Sequence, residues 1–155
     1  RPQNVEFKII NVLPVLDEVV EFLDPQLKSK NIKIVKKYSP DCPNVEASAD
    51  NLKQVFINII VNSMDAISDG GKIEIAANDF HDTLQILICD SGSGVPEEVL
   101  PTIFEPFFTT KNESHGTGLG LSVCADIIKK HKGTISFRNR DKGACVEITI
   151  PVAQA

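Results

Sequence analysis

One segment constrains this chain more than any other: NLKQVFINIIVNSMDAI, running from Asn51 to Ile67. Read as a helix, it is apolar over most of its circumference, with Leu52, Val55, Phe56, Ile59, Ile60, Ala66 and Ile67 on one wide arc. At 3.6 residues per turn, Gln54, Asn58, Asn62 and Asp65 fall within roughly 80° of one another on the other side. A helix this apolar is expected to be buried on most sides, so its polar stripe should face an internal cavity. Amide oxygens one turn apart, on Asn58 and Asn62, suit a hard cation whose remaining ligands are waters and phosphates. The alternative, open on this segment alone, is the solvent edge of an ordinary amphipathic helix.

The remaining pattern places this helix in an α+β chain. A short strand is expected over residues 5–12. Leu16, Val19, Val20, Leu23 and Leu27 then recur at helical spacing, with Pro25 placed to kink or restart that helix. Ile32, Ile34 and Tyr38 mark a second strand. The polar-striped helix is expected over residues 50–68, stopped by Gly70 and Gly71. Strands follow over 72–78 and 83–89, a helix over 118–131, and strands over 134–137 and 145–152. Strands that bunch in this way predict helices on one face of a largely antiparallel sheet, in a single domain of 155 residues.

Composition excludes some classes. Hydrophobic content of 42% with 24% charged residues suits a folded globular protein. A net charge of −5 argues against nucleic acid or an anionic membrane as the main partner. Cys42, Cys89, Cys124 and Cys145 form no CxxC pair, and Cys89 and Cys145 sit in apolar runs. Reduced packing cysteines in a cytosolic domain are therefore expected. The linker-like opening, RPQN, reads as the start of a piece excised from something longer.

Two glycine clusters supply the other candidate chemistry. Asp90 shares strand parity with Leu84, Ile86 and Ile88, so it should emerge on the face that those residues bury. A buried carboxylate needs donors, and the exocyclic amine of adenine is one; guanine presents an acceptor there instead. Gly92 and Gly94 follow in DSGSG, which by itself is also an ordinary turn. The second cluster, GTGLGL, holds Gly116, Thr117, Gly118, Leu119 and Gly120 and runs into a helix. Backbone N–H groups exposed at a helix start bind anions. The order GxGxG matches neither the P-loop nor the dinucleotide fingerprint.

About twenty irregular residues separate the clusters, a length that in compact domains tends to be functional. They include FEPFFTTK, in which Phe104, Phe107 and Phe108 are expected to latch the loop down. Lys111, beside Thr109 and Thr110, is within reach of a terminal phosphate as a point charge; a solvated loop lysine is the bland alternative.

Taken in order, QVFINIIVNSMDAI, DSGSG, FEPFFTTK and GTGLGL resemble the N, G1, F and G2 boxes of the histidine-kinase ATP-binding domain. This domain belongs to the Bergerat-fold superfamily shared with gyrase B, the large heat-shock chaperone and the mismatch-repair ATPase. The resemblance spans residues 50–151 and implies a two-layer α/β sandwich, a mostly antiparallel sheet on about three helices under a mobile ATP lid. It implies Mg²⁺ on Asn62 with Asn58 at the phosphate end, and the adenine amine on Asp90 between walls shaped by Gly92 and Gly94. It also implies phosphate contacts from Lys111, Gly116, Thr117, Gly118, Leu119 and Gly120.

Departures from the pattern refine the expectation. Gln54 stands where water-activating relatives carry glutamate, and an amide cannot act as a general base. Transfer to a protein nucleophile is favoured over hydrolysis, with Gln54 at most positioning the nucleophile. Ser63 replaces a commoner alanine, expected to be a small change. Asp65 stands where another branch has a basic residue, and Cys145 aligns by distance with a threonine near the adenine. His81, His115 and His131 are read as non-acceptors, His131 as a cation at a helix C-terminus. The whole chain, 1–155, is then expected to be the catalytic domain alone, monomeric and cytoplasmic, without direct membrane contact. It would donate the γ-phosphate of Mg·ATP to a histidine on a separate dimerisation domain, upstream of a response regulator. An ATP-driven clamp and an anti-sigma-type serine kinase are the alternatives.

Overall fold

The computed structural model describes residues 5–105 and 120–153. Among the described residues, seven strands and three α-helices appear in the order β1 (Lys8–Ile10), α1 (Leu13–Ser29), β2 (Ile32–Tyr38), β3 (Val45–Ala47), α2 (Ala49–Ala66), β4 (Gly71–Phe80), β5 (Thr83–Asp90), α3 (Gly120–Lys130), β6 (Thr134–Asn139) and β7 (Ala144–Pro151). Five strands form one sheet in the order β2-β4-β5-β7-β6. Only β2 and β4 run parallel, because α2 lies between them as a crossover; the other pairs are antiparallel. A small ribbon pairs β1 with β3 and is linked to the sheet's chain end by a bridge from Val45 to Val152.

Strand parity sorts the sheet into two faces. Ile73, Ile75 and Ala77 of β4, Leu84, Ile86 and Ile88 of β5, and Val146, Ile148 and Ile150 of β7 are all buried. They share one core with Leu16, Val19, Leu23 and Leu27 of α1, Leu52, Val55, Phe56, Ile59 and Ile60 of α2, and Cys124, Ile127 and Ile128 of α3. Each large side chain buried here, such as Phe56, contributes about 1.5–3 kcal/mol relative to exposure. The architecture is the expected sandwich of a mixed, mostly antiparallel sheet on three helices.

Local chemistry explains most boundaries. Ser48 caps α2, its Oγ accepting from Asn51 N at 3.2 Å. At the other end, Lys30 Nζ donates to Met64 O at 2.7 Å, while Gly70 N and Gly71 N donate to the carbonyls of Lys30 and Asn31. The turn after α1 thereby braces the turn after α2. His81 and Asp82, both at positive φ, make the tight two-residue turn joining β4 and β5.

Several expectations need correction. Strand β1 spans three residues rather than eight, since Asn11 Oδ1 accepts from Leu13 N and turns the chain into α1. Pro25 does not divide α1: it lies on the exposed side with Glu21, where the carbonyl that loses its partner meets water. Strand β3 and a 3₁₀ turn at Glu97–Thr102 were not anticipated, being too short to show a period.

The cysteine reading is also corrected. Cys89 and Cys145 face each other across β5 and β7 and are joined in a disulfide. Apolar flanks pointed to two independent packing thiols, whereas the register of distant strands makes them partners. Cys124 is buried and free, donating to Val55 O, and burial pushes its thiol up to about 12.

His131 is not the expected cation. It is 4% exposed, with Nδ1 2.8 Å from Ile127 O and Nε2 accepting from Ser48 N at 3.1 Å. Only a neutral ring can donate through Nδ1 while accepting through Nε2. Phe7 packs over it, ring centroids 4.7 Å apart. Burial pulls its pKa below 6.5, against the opposing bond to Ile127. As pH falls, the unfolded chain therefore takes the proton first. The stabilisation is whole above about pH 6.5 and is lost as pH drops toward the lower folded value. Urea unfolding of the native protein and His131→Gln should show a stability gap at pH 8 that narrows by pH 5.5. A gap unchanged with pH would mean that the folded ring is not held neutral.

Candidate functional site

The candidate site gathers where the end of β5 meets α2 and the start of α3. Asp90 closes β5 on the buried face, 5% exposed, as its parity with Leu84, Ile86 and Ile88 requires. Gly92 N donates to Asp90 Oδ1 at 2.8 Å, and the Ala144 N–H and the Ser63 hydroxyl lie near enough to favour the charged carboxylate. Burial raises the Asp90 pKa, opposed by these three donors and the positive charge of Arg140. An ionised carboxylate accepts about four hydrogen bonds, so capacity for one further donor remains.

The turn after Asp90 is fastened to the C-terminal end of α2. Ser93 N donates to Ala66 O at 3.1 Å, and a Cβ placed on Gly92 would stand 2.4 Å from that same oxygen. Only glycine allows this approach. It brings Asp90 against Ser63, one residue beyond Asn62. Further along, Gly94 backs onto Asn139, whose side chain clasps Val95 by accepting from its N–H at 2.9 Å and donating to its carbonyl at 2.6 Å.

The stripe on α2 meets the first turn of α3. Asn58 Nδ2 donates to Gly120 O at 3.4 Å, and a Cβ on Gly120 would be 4.0 Å from Asn62 Nδ2. Asn58, Asn62 and Asp65 are half-buried, and Gln54 is exposed. The structure therefore brings Asp90, Gly92, Asn58, Asn62 and Gly120 to one region, with Gln54 at its outer margin.

Other expected residues are placed differently or not at all. Phe107, Phe108, Lys111, Gly116, Thr117, Gly118 and Leu119 lie outside the described residues, as do Thr109, Thr110 and His115. Phe104 is half-buried, and the neighbouring Ile103, at 5% exposure, is the more deeply seated anchor. Cys145, aligned by distance with a threonine near the adenine, does not share the face of Asp90. The position opposite Asp90 is Ala144, and Cys145 points away from it with Cys89.

Sequence reading missed Ser63, taken as a minor change, although its hydroxyl supports Asp90. Its place immediately after Asn62 was the available signal. Asn139 and Ala144 gave none, because their importance comes from pairing between β5, β6 and β7. Among the described residues, no helix is long and apolar enough to cross a membrane.

The family model described as "Histidine kinase-, DNA gyrase B-, and HSP90-like ATPase" matches residues 47–154. Sporulation kinase A of Bacillus subtilis is 36% identical over 150 residues, covering 96% of this chain and 24% of that protein. The chain thus spans about a quarter of that relative's length. The solved catalytic domain of histidine kinase ThkA has a TM-score of 0.87 at 36% identity, covering 95% of this chain and 96% of that one. ThkA solved with response regulator protein TrrA has a TM-score of 0.82 at 32% identity, covering 95% of this chain and 42% of that one. This chain belongs to the histidine kinase-, DNA gyrase B- and HSP90-like ATPase family.

Proposed function

We propose that this chain is the catalytic domain of a cytoplasmic two-component sensor kinase, binding Mg·ATP and donating the γ-phosphate to a histidine on a separate helical domain. The observation that carries the reading is Asp90: a buried carboxylate, oriented by Gly92, Ala144 and Ser63, beside a polar stripe that meets the start of α3. Such a carboxylate accepts the adenine amine and turns away the guanine oxygen. Asn62 would hold Mg²⁺ through its neutral amide oxygen, and the ion would neutralise charge on the phosphates. Asn58 and the backbone at Gly120, held together by their hydrogen bond, flank the phosphate end.

The domain's contribution to transfer is positioning and charge neutralisation. Gln54, exposed and lacking a basic group, is at most a positioning residue for the nucleophile, so water is poorly activated and the γ-phosphate is kept for the acceptor histidine. His81 in a hairpin turn and His131, buried and neutral, are unsuited as acceptors. The complex of ThkA with its response regulator supports a similar downstream partner here.

Titration calorimetry with ATP, ADP and GTP, each with and without Mg²⁺, tests the reading. Selective binding of adenine nucleotides, with Mg²⁺ raising ATP affinity, is the expected result. Silence toward all three would overturn it. Asn62→Ala should retain ADP but lose most of the Mg²⁺ effect on ATP; an unaltered metal dependence would remove Asn62 from that role. Transfer is tested by mixing the domain with a purified phosphoacceptor domain and following acid-labile phosphate.

A further inference from the structure

The outward face of the sheet carries a feature that nucleotide binding leaves unused. Glu74, Cys89, Cys145 and Arg138 stand in one row across β4, β5, β7 and β6. Cys89 and Cys145 are bonded, with their Cα atoms 4.0 Å apart. Ordinary antiparallel partners stand about 4.5 or 5.5 Å apart, so these strands are drawn together here. Cys89 precedes Asp90 and Cys145 follows Ala144, and strand neighbours point to opposite faces. The bond therefore clamps, from behind, the two strand ends that present the Asp90 carboxylate and the Ala144 N–H. Arg140 adds to the arrangement, its Nη1 3.6 Å from Cys145 Sγ. Cys89 is the more exposed sulfur residue, at 9% against 3% for Cys145.

We propose that Cys89–Cys145 is a thiol–disulfide exchange site coupled to the nucleotide pocket, the oxidised form binding adenine nucleotide more tightly than the reduced form. The coupling rests on the nucleotide reading given above. A domain that uses ATP works in a reducing compartment, where disulfides are usually transient and redox-sensing. Reduction begins when one thiolate of a dithiol reductant attacks Cys89 Sγ. The Cys89–Cys145 bond breaks and its electron pair leaves on Cys145 Sγ, where the Arg140 guanidinium stabilises the thiolate. The reductant's second thiol then attacks the mixed disulfide and releases Cys89. The reductant departs as a cyclic disulfide, and two electrons and two protons have passed to the protein. Oxidation by a small disulfide such as oxidised glutathione reverses the exchange and releases two thiols. Once the bond is gone, β5 and β7 relax toward ordinary spacing, and Asp90 shifts relative to Ala144 and Ser63.

The test uses the domain oxidised by oxidised glutathione and reduced by dithiothreitol, each titrated calorimetrically with ADP. The reduced form should bind at least about fivefold more weakly, the lower end of ordinary coupling between sites. By linkage, saturating ADP should shift the dithiol–disulfide equilibrium in a glutathione buffer toward the disulfide by the same factor, read by alkylation and mass spectrometry. The double variant Cys89→Ser/Cys145→Ser should fold and bind ADP with the reduced form's affinity in either buffer. Equal affinity of the two native forms, an equilibrium that ADP does not move, or cysteines that never bond in oxidised glutathione would each overturn the proposal. Loss of ADP binding in both forms would instead overturn the nucleotide reading, and this coupling with it.

Discussion

Asp90→Ala should abolish adenine-nucleotide binding, lowering affinity by about 100-fold or more, as expected when a charged hydrogen-bond partner is removed from a buried site. The carboxylate is 5% exposed, and its orientation is set by Gly92, Ala144 and Ser63, so no neighbour can take its place. The same substitution leaves those three donors unmatched, and a lower Tm is expected with it. Asp90→Asn separates the two effects. It keeps one oxygen for the Gly92 N–H but offers an amide donor, which opposes the adenine amine and suits the guanine oxygen. The preference for ATP over GTP should shrink or invert in Asp90→Asn while folding is largely retained. Calorimetry with both nucleotides checks this, and an undiminished ATP preference would remove Asp90 from the adenine contact.

Gly143→Ala should be the most damaging single methyl in the chain's last hairpin. Gly143 sits at φ +94, and a Cβ there would lie 1.9 Å from the Asp90 backbone carbonyl and 3.0 Å from its Oδ1. Backbone cannot yield as a flexible side chain does, so β5 and β7 must separate at the site. A destabilisation of about 3 kcal/mol or more is expected by urea unfolding, with nucleotide binding lost in parallel. Gly70→Ala is the control: Gly70 also has positive φ, at +76, but nothing lies within 4 Å of its Cβ position. That variant should show only the conformational cost, about 1–2 kcal/mol. Equal losses from the two variants would mean that backbone geometry, not the contact with Asp90, makes Gly143 necessary.

What could be read in advance follows a physical divide. Periodicity exposed α2, β4, β5 and α3 to within a few residues, and parity alone put Asp90 on the buried face, because those signals are local. Cys89 and Cys145 looked like unrelated packing residues, since their pairing depends on the register between β5 and β7. His131 looked like a helix-end cation because its partner, Ser48 N, is far away in sequence. Ser63 looked incidental until Asp90 was placed against it. The candidate site was legible as a set of residue types, and its supporting contacts were not, because a tertiary fold makes them.

The pairing of Asp90 with Ala144 also bears on how this domain comes into being. The β4–β5 and β6–β7 hairpins join neighbouring stretches of chain, whereas β5 and β7 pair across a sequence separation of 56 residues at Cys89 and Cys145. Contacts across such separations pay their loop-closure entropy late in folding. The pocket is therefore assembled from pieces that a half-folded chain does not hold together, and nucleotide has nothing to grip until the sheet is complete. A ligand that recognises only the finished state stabilises it by mass action, by about 2.7 kcal/mol at one hundred times its Kd. In a cell rich in ATP, the substrate would act as a folding ligand, and an apoprotein starved of it would be the form most exposed to unfolding and proteolysis.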